Sequence, residues 1–145
     1  MNKGVADIEA ARMVERLRDA TNDHDAEGVA ACFTSDYRSQ TPAHPARNFI
    51  GRDQVRNNQK KIFSFVPDIT VELLRSAVDG NTIWTEWEHR GTRKDGSLHH
   101  MRGTIILGIR DGLACWGRFY LEPVEVTSGD IDAAIHRDVA KPSGA

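Results

Sequence analysis

The sequence predicts an α+β domain in which three helices pack into the concave face of a curved, mainly antiparallel sheet. Helical periodicity in the first half and a long strand-like stretch over residues 82–124 indicate this arrangement. Two Asp-Gly pairs divide that stretch, and Asp-Gly favours tight hairpin turns because both turn residues need positive φ. We therefore expect an antiparallel meander over 82–94, 97–110 and 113–124.

Three helices are predicted before the meander. The first covers 5–20, with an apolar stripe of Ile8, Ala11, Val14 and Leu17. A short second helix follows the loop at 22–25, with its apolar residues Val29, Cys32 and Phe33 at i, i+3, i+4 spacing. The third covers 52–66 and ends at Pro67, and its inner stripe includes Gln59 and Ile62 with Asn58 beside it. An amide pair on an apolar stripe is typical of a helix edge, but it also suits a helix that lies over a pocket.

The remaining segments complete one domain. Residues 37–41 predict a short strand, 42–51 an irregular crossover and 69–77 a further strand. We assign 1–125 to the domain. The extension at 126–145 is expected to hold a small helix over 130–139 and a frayed end over 141–145.

Composition excludes several classes of function. A net charge of −2 over 145 residues gives no electrostatic footprint for nucleic acid. No apolar run reaches the length of a membrane span, and the N-terminal residues lack the pattern of a signal peptide. We therefore expect a cytoplasmic protein, with Cys32 and Cys115 as reduced thiols.

Counting outward from the two turns gives a register. If both turns contain two residues, Lys94 faces Ser97 and Arg110 faces Leu113. Because side chains alternate between faces, this register places a polar group and two tryptophans on one face, together with Ile105 and Leu107. That face carries Glu86, Glu88, Arg118, Tyr120, Trp84 and Trp116. A turn one residue longer would change these rows.

Five segments, in this order and spacing, carry a family resemblance: CFTSDYRSQTP, GRDQVRNNQ, FVPDITVEL, IWTEWEHRGTRKDG and WGRFYLEP. The chain resembles the SnoaL-like branch of the nuclear transport factor 2-like superfamily, which includes ketosteroid isomerases, polyketide cyclases and limonene epoxide hydrolases. The resemblance implies a cone-shaped α+β barrel with a ligand cavity between sheet and helices. It also implies a homodimer formed through the sheet.

The chain departs from each family pattern at the catalytic positions. Thr41 stands where ketosteroid isomerases carry an aspartate before the proline, and the first helix offers no tyrosine as an oxyanion donor. The epoxide-hydrolase positions for an Arg-x-Asp pair and a later aspartate correspond to Glu86, Glu88 and Arg118. Two carboxylates and one arginine are kept, but they exchange places. A polyketide-cyclase aspartate base near Arg118 is missing.

We predict that Glu86, Glu88, Arg118 and Tyr120 form a catalytic group facing the cavity. Two neighbouring carboxylates cannot both ionise freely, so one pKa should rise. Arg118 should pair with Glu86, which leaves Glu88 as the proton-transferring group and Tyr120 as a donor to a substrate oxygen. The alternative is an ion-pair cluster that only satisfies its own charges.

The predicted substrate-binding residues are Trp84, Trp116, Asn58, Gln59, Ile62, Ile105 and Leu107. No metal is expected, because His99 and His100 are adjacent on a strand and point to opposite faces. The sequence thus predicts a cofactor-independent enzyme that applies acid–base chemistry to a small, largely apolar substrate by isomerisation, cyclisation, dehydration or epoxide opening. A non-catalytic module of the same fold that binds a small ligand or dimerises is the alternative.

Overall fold

The structure is a computed structural model that describes residues 3–127 and 129–140. Among these residues, four α-helices, one 3-10 helix and six strands follow one another along the chain. They are α1 (Lys3–Asn22), α2 (Ala26–Ala30), β1 (Phe33–Gln40), a 3-10 helix (Pro45–Arg47), β2 (Phe49–Ile50), α3 (Arg52–Phe65), β3 (Thr70–Asp79), β4 (Thr82–Thr92), β5 (Leu98–Arg110), β6 (Leu113–Pro123) and α4 (Ile131–Val139).

The strands form one mixed sheet in the order β2-β1-β6-β5-β4-β3. Strands β1 and β6 pair in parallel, and every other neighbouring pair is antiparallel. The predicted α+β class is confirmed, with a curved sheet that stays open between the β2 and β3 edges. None of the described helices is long and apolar enough to cross a membrane.

Side chains of α1, α2 and α3 pack against one face of the sheet, which we call the inner face. Met13, Val14 and Val29 are buried there with Trp87 and Leu107 from the sheet. The apolar stripe of α1 is rotated from the prediction, because Ile8 is exposed and Met13 is buried. The burial of these side chains is the main source of stability for such a layer.

Polar contacts fix the helices to strand β3. The Asn22 amide donates to the Val71 carbonyl at 3.0 Å, and its oxygen accepts from the Val71 N–H at 2.7 Å. His24 Nε2 lies 2.8 Å from the Ile69 carbonyl oxygen. The Asp25 carboxylate caps α2 by accepting from the Gly28 N–H at 3.0 Å. The end of α1 therefore has a defined position over the sheet.

Two element boundaries differ from the prediction in the first half of the chain. Helix α2 ends at Ala30, and Phe33 already begins β1, four residues before the predicted strand. The predicted irregular crossover contains the 3-10 helix and the two-residue strand β2. The predicted small helix near the C-terminus is confirmed as α4, whereas the predicted frayed end at 141–145 lies outside the described residues. The division of the chain at residue 125 stays a prediction.

The hairpin between β4 and β5 is one residue longer than predicted. The Arg93 N–H donates to the Ser97 carbonyl at 2.9 Å, and Gly96 adopts φ +87°. A three-residue loop with glycine in the left-handed region explains this closure. Thr92 pairs with Leu98, so the predicted register of β4 on β5 is wrong by one residue.

The hairpin between β5 and β6 has the predicted two-residue turn, with Arg110 opposite Leu113. A β-bulge follows, because Ile109 pairs with Ala114 while Gly108 pairs with Trp116. Residue 115 is the extra residue, and it shifts the register of all later pairs by one.

The two register shifts add up to two residues between β4 and β6, whereas β5 is displaced from β4 by one residue. The predicted polar residues of β4 and β6 therefore share one face, as predicted, but Ile105 and Leu107 lie on the opposite face. The side of the sheet turned away from the helices is called the outer face. It carries Trp84, Glu86, Glu88, Arg102, Ile106, Trp116, Arg118 and Tyr120.

Candidate functional site

A cavity of about 90 Å3 lies between the helices and the inner face of the sheet. We call it the inner cavity. Its wall is mostly apolar and includes Leu17, Phe33, Ile62, Ile105, Leu107 and Phe119. Its polar side chains are Thr21, Gln59, Trp87 and His89. A concave, mostly apolar site with a few polar groups is the usual form of a small-molecule site.

Strand β4 contributes Trp87 and His89 to the wall of this cavity. The Thr85 hydroxyl donates to the Ile105 carbonyl at 2.6 Å, and the Trp87 indole N–H donates to the Thr85 hydroxyl oxygen at 2.7 Å. Trp87 is only 2% exposed. Because the indole N–H is already paired, Trp87 presents an aromatic surface rather than a free donor.

His89 follows Trp87 on the same face of β4. The two rings meet edge to face, with centroids 6.0 Å apart. Burial lowers the pKa of His89 to about 4, and the positive charge of His99 adds to the effect. His89 is therefore neutral near pH 7. It is the only titratable side chain among the described residues that line the inner cavity.

Gln59 enters the cavity from α3. Its side-chain oxygen is buried and has no hydrogen-bond partner among the described residues. A buried acceptor without a partner costs about 1–3 kcal/mol, and native structures contain few of them. The unpaired oxygen is therefore an unused acceptor at the wall of an apolar cavity.

The predicted catalytic group lies on the other side of the sheet. Alternation along β4 sends Glu86 and Glu88 away from Trp87 and His89, and the pairing of β5 with β6 places Arg118 and Tyr120 on the same outer face. The prediction that this face lines the cavity is wrong. The side chains of β4 that point toward the helices are instead those at 83, 85, 87 and 89.

Glu88 is enclosed by basic side chains on the outer face. Its carboxylate oxygen lies 3.0 Å from His100 Nε2 and 3.3 Å from an Arg90 nitrogen, and it also accepts from Arg102 Nε. The hydrogen bonds from His100 and Arg102 lower the pKa of Glu88 to about 2. The predicted raised pKa of Glu88 is wrong, and so is its predicted position opposite Gly103, because Arg102 pairs with it.

The other predicted catalytic residues have separate partners. Glu86 pairs with Arg75 at 2.9 Å, so its predicted pairing with Arg118 is wrong. Arg118 donates to the Gln40 side-chain oxygen at 3.3 Å and to the Tyr120 hydroxyl at 3.4 Å. The outer face therefore has the ion-pair arrangement that the sequence left as an alternative. A catalytic role for these four residues stays an untested prediction, and the inner cavity gives it no support.

Comparison with known proteins places this architecture in a family. The sequence matches the SnoaL-like domain over residues 14–116. The chain belongs to the SnoaL-like family. No curated protein matches the sequence at a significant level.

Solved structures share the fold of this SnoaL-like domain at low sequence identity. A candidate isomerase from Bacillus subtilis is 15% identical and has a TM-score of 0.73, with 85% of this chain and 91% of that chain covered. An LEH-like epoxide hydrolase from M. tuberculosis is 19% identical and has a TM-score of 0.69, with coverage of 79% and 84%. A protein from Catenulispora acidiphila with a ketosteroid isomerase-like fold, in complex with trimethylamine, is 14% identical and has a TM-score of 0.66, with coverage of 74% and 84%. The family includes enzymes of several kinds, so membership does not select one reaction.

The residues predicted to bind substrate divide between the two faces of the SnoaL-like domain. Gln59, Ile62, Ile105 and Leu107 line the inner cavity. Asn58 lines a neighbouring pocket beside α3. Trp84 is 48% exposed on the outer face, and Trp116 lies there over Gly108. Substrate binding by any of them stays a prediction.

Sequence reasoning missed His89 and Trp87 as cavity residues. The signal was present, because residues 83, 85, 87 and 89 alternate with the charged residues of β4 and carry an isoleucine, a threonine, a tryptophan and a histidine. Trp84 and Trp116 lie on the outer face, so the sequence pattern is about equally apolar on both faces of the sheet. Among the described residues, no group of three His, Cys, Asp or Glu side chains is placed to hold a metal ion.

Proposed function

We propose that this SnoaL-like domain binds a small, largely apolar molecule in the inner cavity and that Gln59 accepts a hydrogen bond from it. The buried, unpaired side-chain oxygen of Gln59 is the observation that carries this proposal. A ligand with one N–H or O–H group satisfies that oxygen and removes the cost of leaving it unpaired.

The size of the inner cavity supports a ligand of one small ring or a short branched chain. The cavity measures about 90 Å3, and an engineered apolar cavity of about 150 Å3 in another protein binds benzene. Trp87, Phe33 and Phe119 present aromatic surface to such a ligand. No cofactor takes part in this proposal.

The proposal is tested with toluene, which has no donor, beside phenol, which has an O–H donor. Binding is followed by the indole N–H resonance of Trp87 in a nitrogen–proton NMR spectrum. Phenol should bind about threefold to tenfold more tightly than toluene, the range expected for one neutral hydrogen bond. Gln59→Leu should remove that preference. The control variant Gln40→Leu, on the outer face, should keep the preference for phenol. A Trp87 resonance that neither compound shifts would contradict the proposal.

Acid–base catalysis by His89 is a second candidate function. Its neutral ring lines the cavity, and a strongly shifted pKa in a cavity is typical of functional groups. A neutral imidazole can accept a proton from a bound substrate through one nitrogen. Once a substrate is known, His89→Gln should lower kcat by about 10²–10⁴-fold, while Glu88→Gln should leave it unchanged.

We also infer that two copies of the chain pair through the outer face of the sheet. The side chains of Trp87, Phe119 and Leu121 pack on the inner side of the sheet, so a contact between two sheets would use the other face. The outer face instead exposes Trp84 and Tyr120. Exposed aromatic side chains on one sheet face support association with a second apolar surface.

A further inference from the structure

A second pocket of about 270 Å3 adjoins the inner cavity. We call it the outer pocket, although, like the inner cavity, it lies on the inner face of the sheet beside α3. It is bounded by β1, the 3-10 helix, β2 and α3. Four residues line both spaces: Phe33, Gln59, Ile62 and Phe119. The two spaces therefore adjoin at these four side chains.

The Tyr37 hydroxyl lies at the junction of the two spaces. Tyr37 is 1% exposed and lines the outer pocket. A Cβ built on Gly117 would be 2.4 Å from this hydroxyl and 3.2 Å from both Leu107, an inner-cavity residue, and Phe119, which lines both spaces. The hydroxyl oxygen thus lies close to where the two spaces adjoin.

This hydroxyl has no hydrogen-bond partner among the described residues. Burial raises the pKa of Tyr37 to about 12, and the nearby Ser39 side chain offsets only part of that rise. Tyr37 is therefore protonated at any physiological pH. It is a buried donor that has nothing to donate to within the described chain.

The outer pocket carries positive charge. Arg47, on the 3-10 helix, is the only charged residue among the described residues that line it. No described acidic side chain forms an ion pair with Arg47. A guanidinium group in this position favours a carboxylate over a neutral group, because it can donate two parallel hydrogen bonds.

We infer that the outer pocket is a second subsite that binds the carboxylate end of a ligand whose apolar part occupies the inner cavity, with Tyr37 donating to an oxygen at the junction and Arg47 pairing with the charge. The ligand class is a small arylalkyl or branched alkyl carboxylic acid. This inference rests on the proposed function, since it places the apolar part in the inner cavity.

The test compares hydrocinnamate with its uncharged primary amide. Binding is followed at the Trp87 indole N–H for the inner cavity and at the Phe49 backbone N–H for the outer pocket. The acid should bind about tenfold more tightly than the amide, as expected for a hydrogen bond to a charged group. Arg47→Gln should abolish that preference and leave amide binding unchanged. Tyr37→Phe should weaken both ligands without lowering the melting temperature, because its hydroxyl has no partner to lose.

Arg38→Gln is the matched control, because Arg38 lies next to Tyr37 on β1 but does not line the outer pocket. Equal binding of acid and amide, or an equal loss in Arg38→Gln and Arg47→Gln, would overturn the subsite. If toluene shifts Trp87 and the acid shows no preference over the amide, only the subsite fails. If the acid shifts Phe49 but neither toluene nor phenol shifts Trp87, the proposed function fails, together with the placement of the apolar part in the inner cavity. Silence of both resonances overturns both proposals.

Discussion

The Tyr37 hydroxyl oxygen lies directly over Gly117, where a Cβ would be 2.4 Å away. Gly117 sits within β6 and pairs with Ser39 of β1 in the parallel ladder. Its missing side chain lets the Tyr37 ring lie close to the sheet. Gly117 is therefore required for close packing between two strands and not for a turn.

We expect Gly117→Ala to lower the free energy of unfolding by about 1–3 kcal/mol, the usual cost of overpacking a core. Adding Tyr37→Phe should recover part of the loss, because it removes the atom nearest to the new methyl group. Urea denaturation of the two single variants and the double variant measures this coupling. A double variant as unstable as Gly117→Ala would show that the hydroxyl is not the atom in conflict.

Glu88 should make stability fall at acidic pH. Its pKa is lowered from 4.5 to about 2 in the fold, chiefly by His100 and then by Arg102. The unfolded chain therefore binds a proton that the folded chain does not. The contribution of Glu88 is complete above about pH 4.5 and is lost as pH falls through about 2. Glu88→Gln should flatten the curve of melting temperature against pH in that window.

Glu86→Gln is the control for this measurement and should preserve the slope, because the only ion-pair partner of Glu86 among the described residues is the exposed Arg75. An unchanged slope in Glu88→Gln would show that the basic side chains around it do not hold its charge.

His89 should produce a separate loss of stability in a higher pH window. Its pKa is lowered from 6.5 to about 4, first by burial and then by His99. The neutral ring is preferred in the fold, so stability is complete above about pH 6.5 and falls as pH decreases toward about 4. His89→Gln should remove this part of the pH dependence, while Glu88→Gln should retain it. NMR titration of the ring carbon of His89 checks the value, and a midpoint near 6.5 would contradict the assigned burial.

The dimer proposal predicts that the wild-type chain sediments as a dimer at micromolar concentration. Trp84→Asp should shift it to a monomer, because it places a charge in the exposed aromatic surface of the outer face. Ile8→Asp, an equally exposed apolar position on α1, should leave the dimer intact. Wild-type protein that sediments as a monomer would exclude association through this face at that concentration.

Periodicity and turn chemistry predicted the order of the helices and the three long strands, because burial imposes both patterns. The face that lines the cavity could not be predicted in the same way. Asp95-Gly96 and Asp111-Gly112 have the same dipeptide, yet one closes a three-residue loop and the other a two-residue turn. The bulge at Cys115 has no sequence signal either, since it depends on how β6 fits between β1 and β5.

The wall of the inner cavity combines residues that belong to single helices and strands with residues that distant elements bring together. Residues near Ile62 and Trp87 were predictable as parts of one helix and one strand. Their approach to Phe33 was not, because pairing of β1 with β6 is a tertiary property. The family-like positions of Glu86, Glu88 and Arg118 favoured the other face of β4, and the sequence holds no signal for which face the helices cover.

The parallel pairing of β1 with β6 has a consequence for how the chain folds. Short hairpins join β3 to β4, β4 to β5 and β5 to β6. Strand β1 can pair only after β6, the last strand along the chain, has formed. Contacts between distant segments form slowly, because the intervening chain must first be ordered. We expect Phe33 and Phe119 to meet late in folding, so a nascent chain can complete its meander well before it has any space in which to hold a ligand.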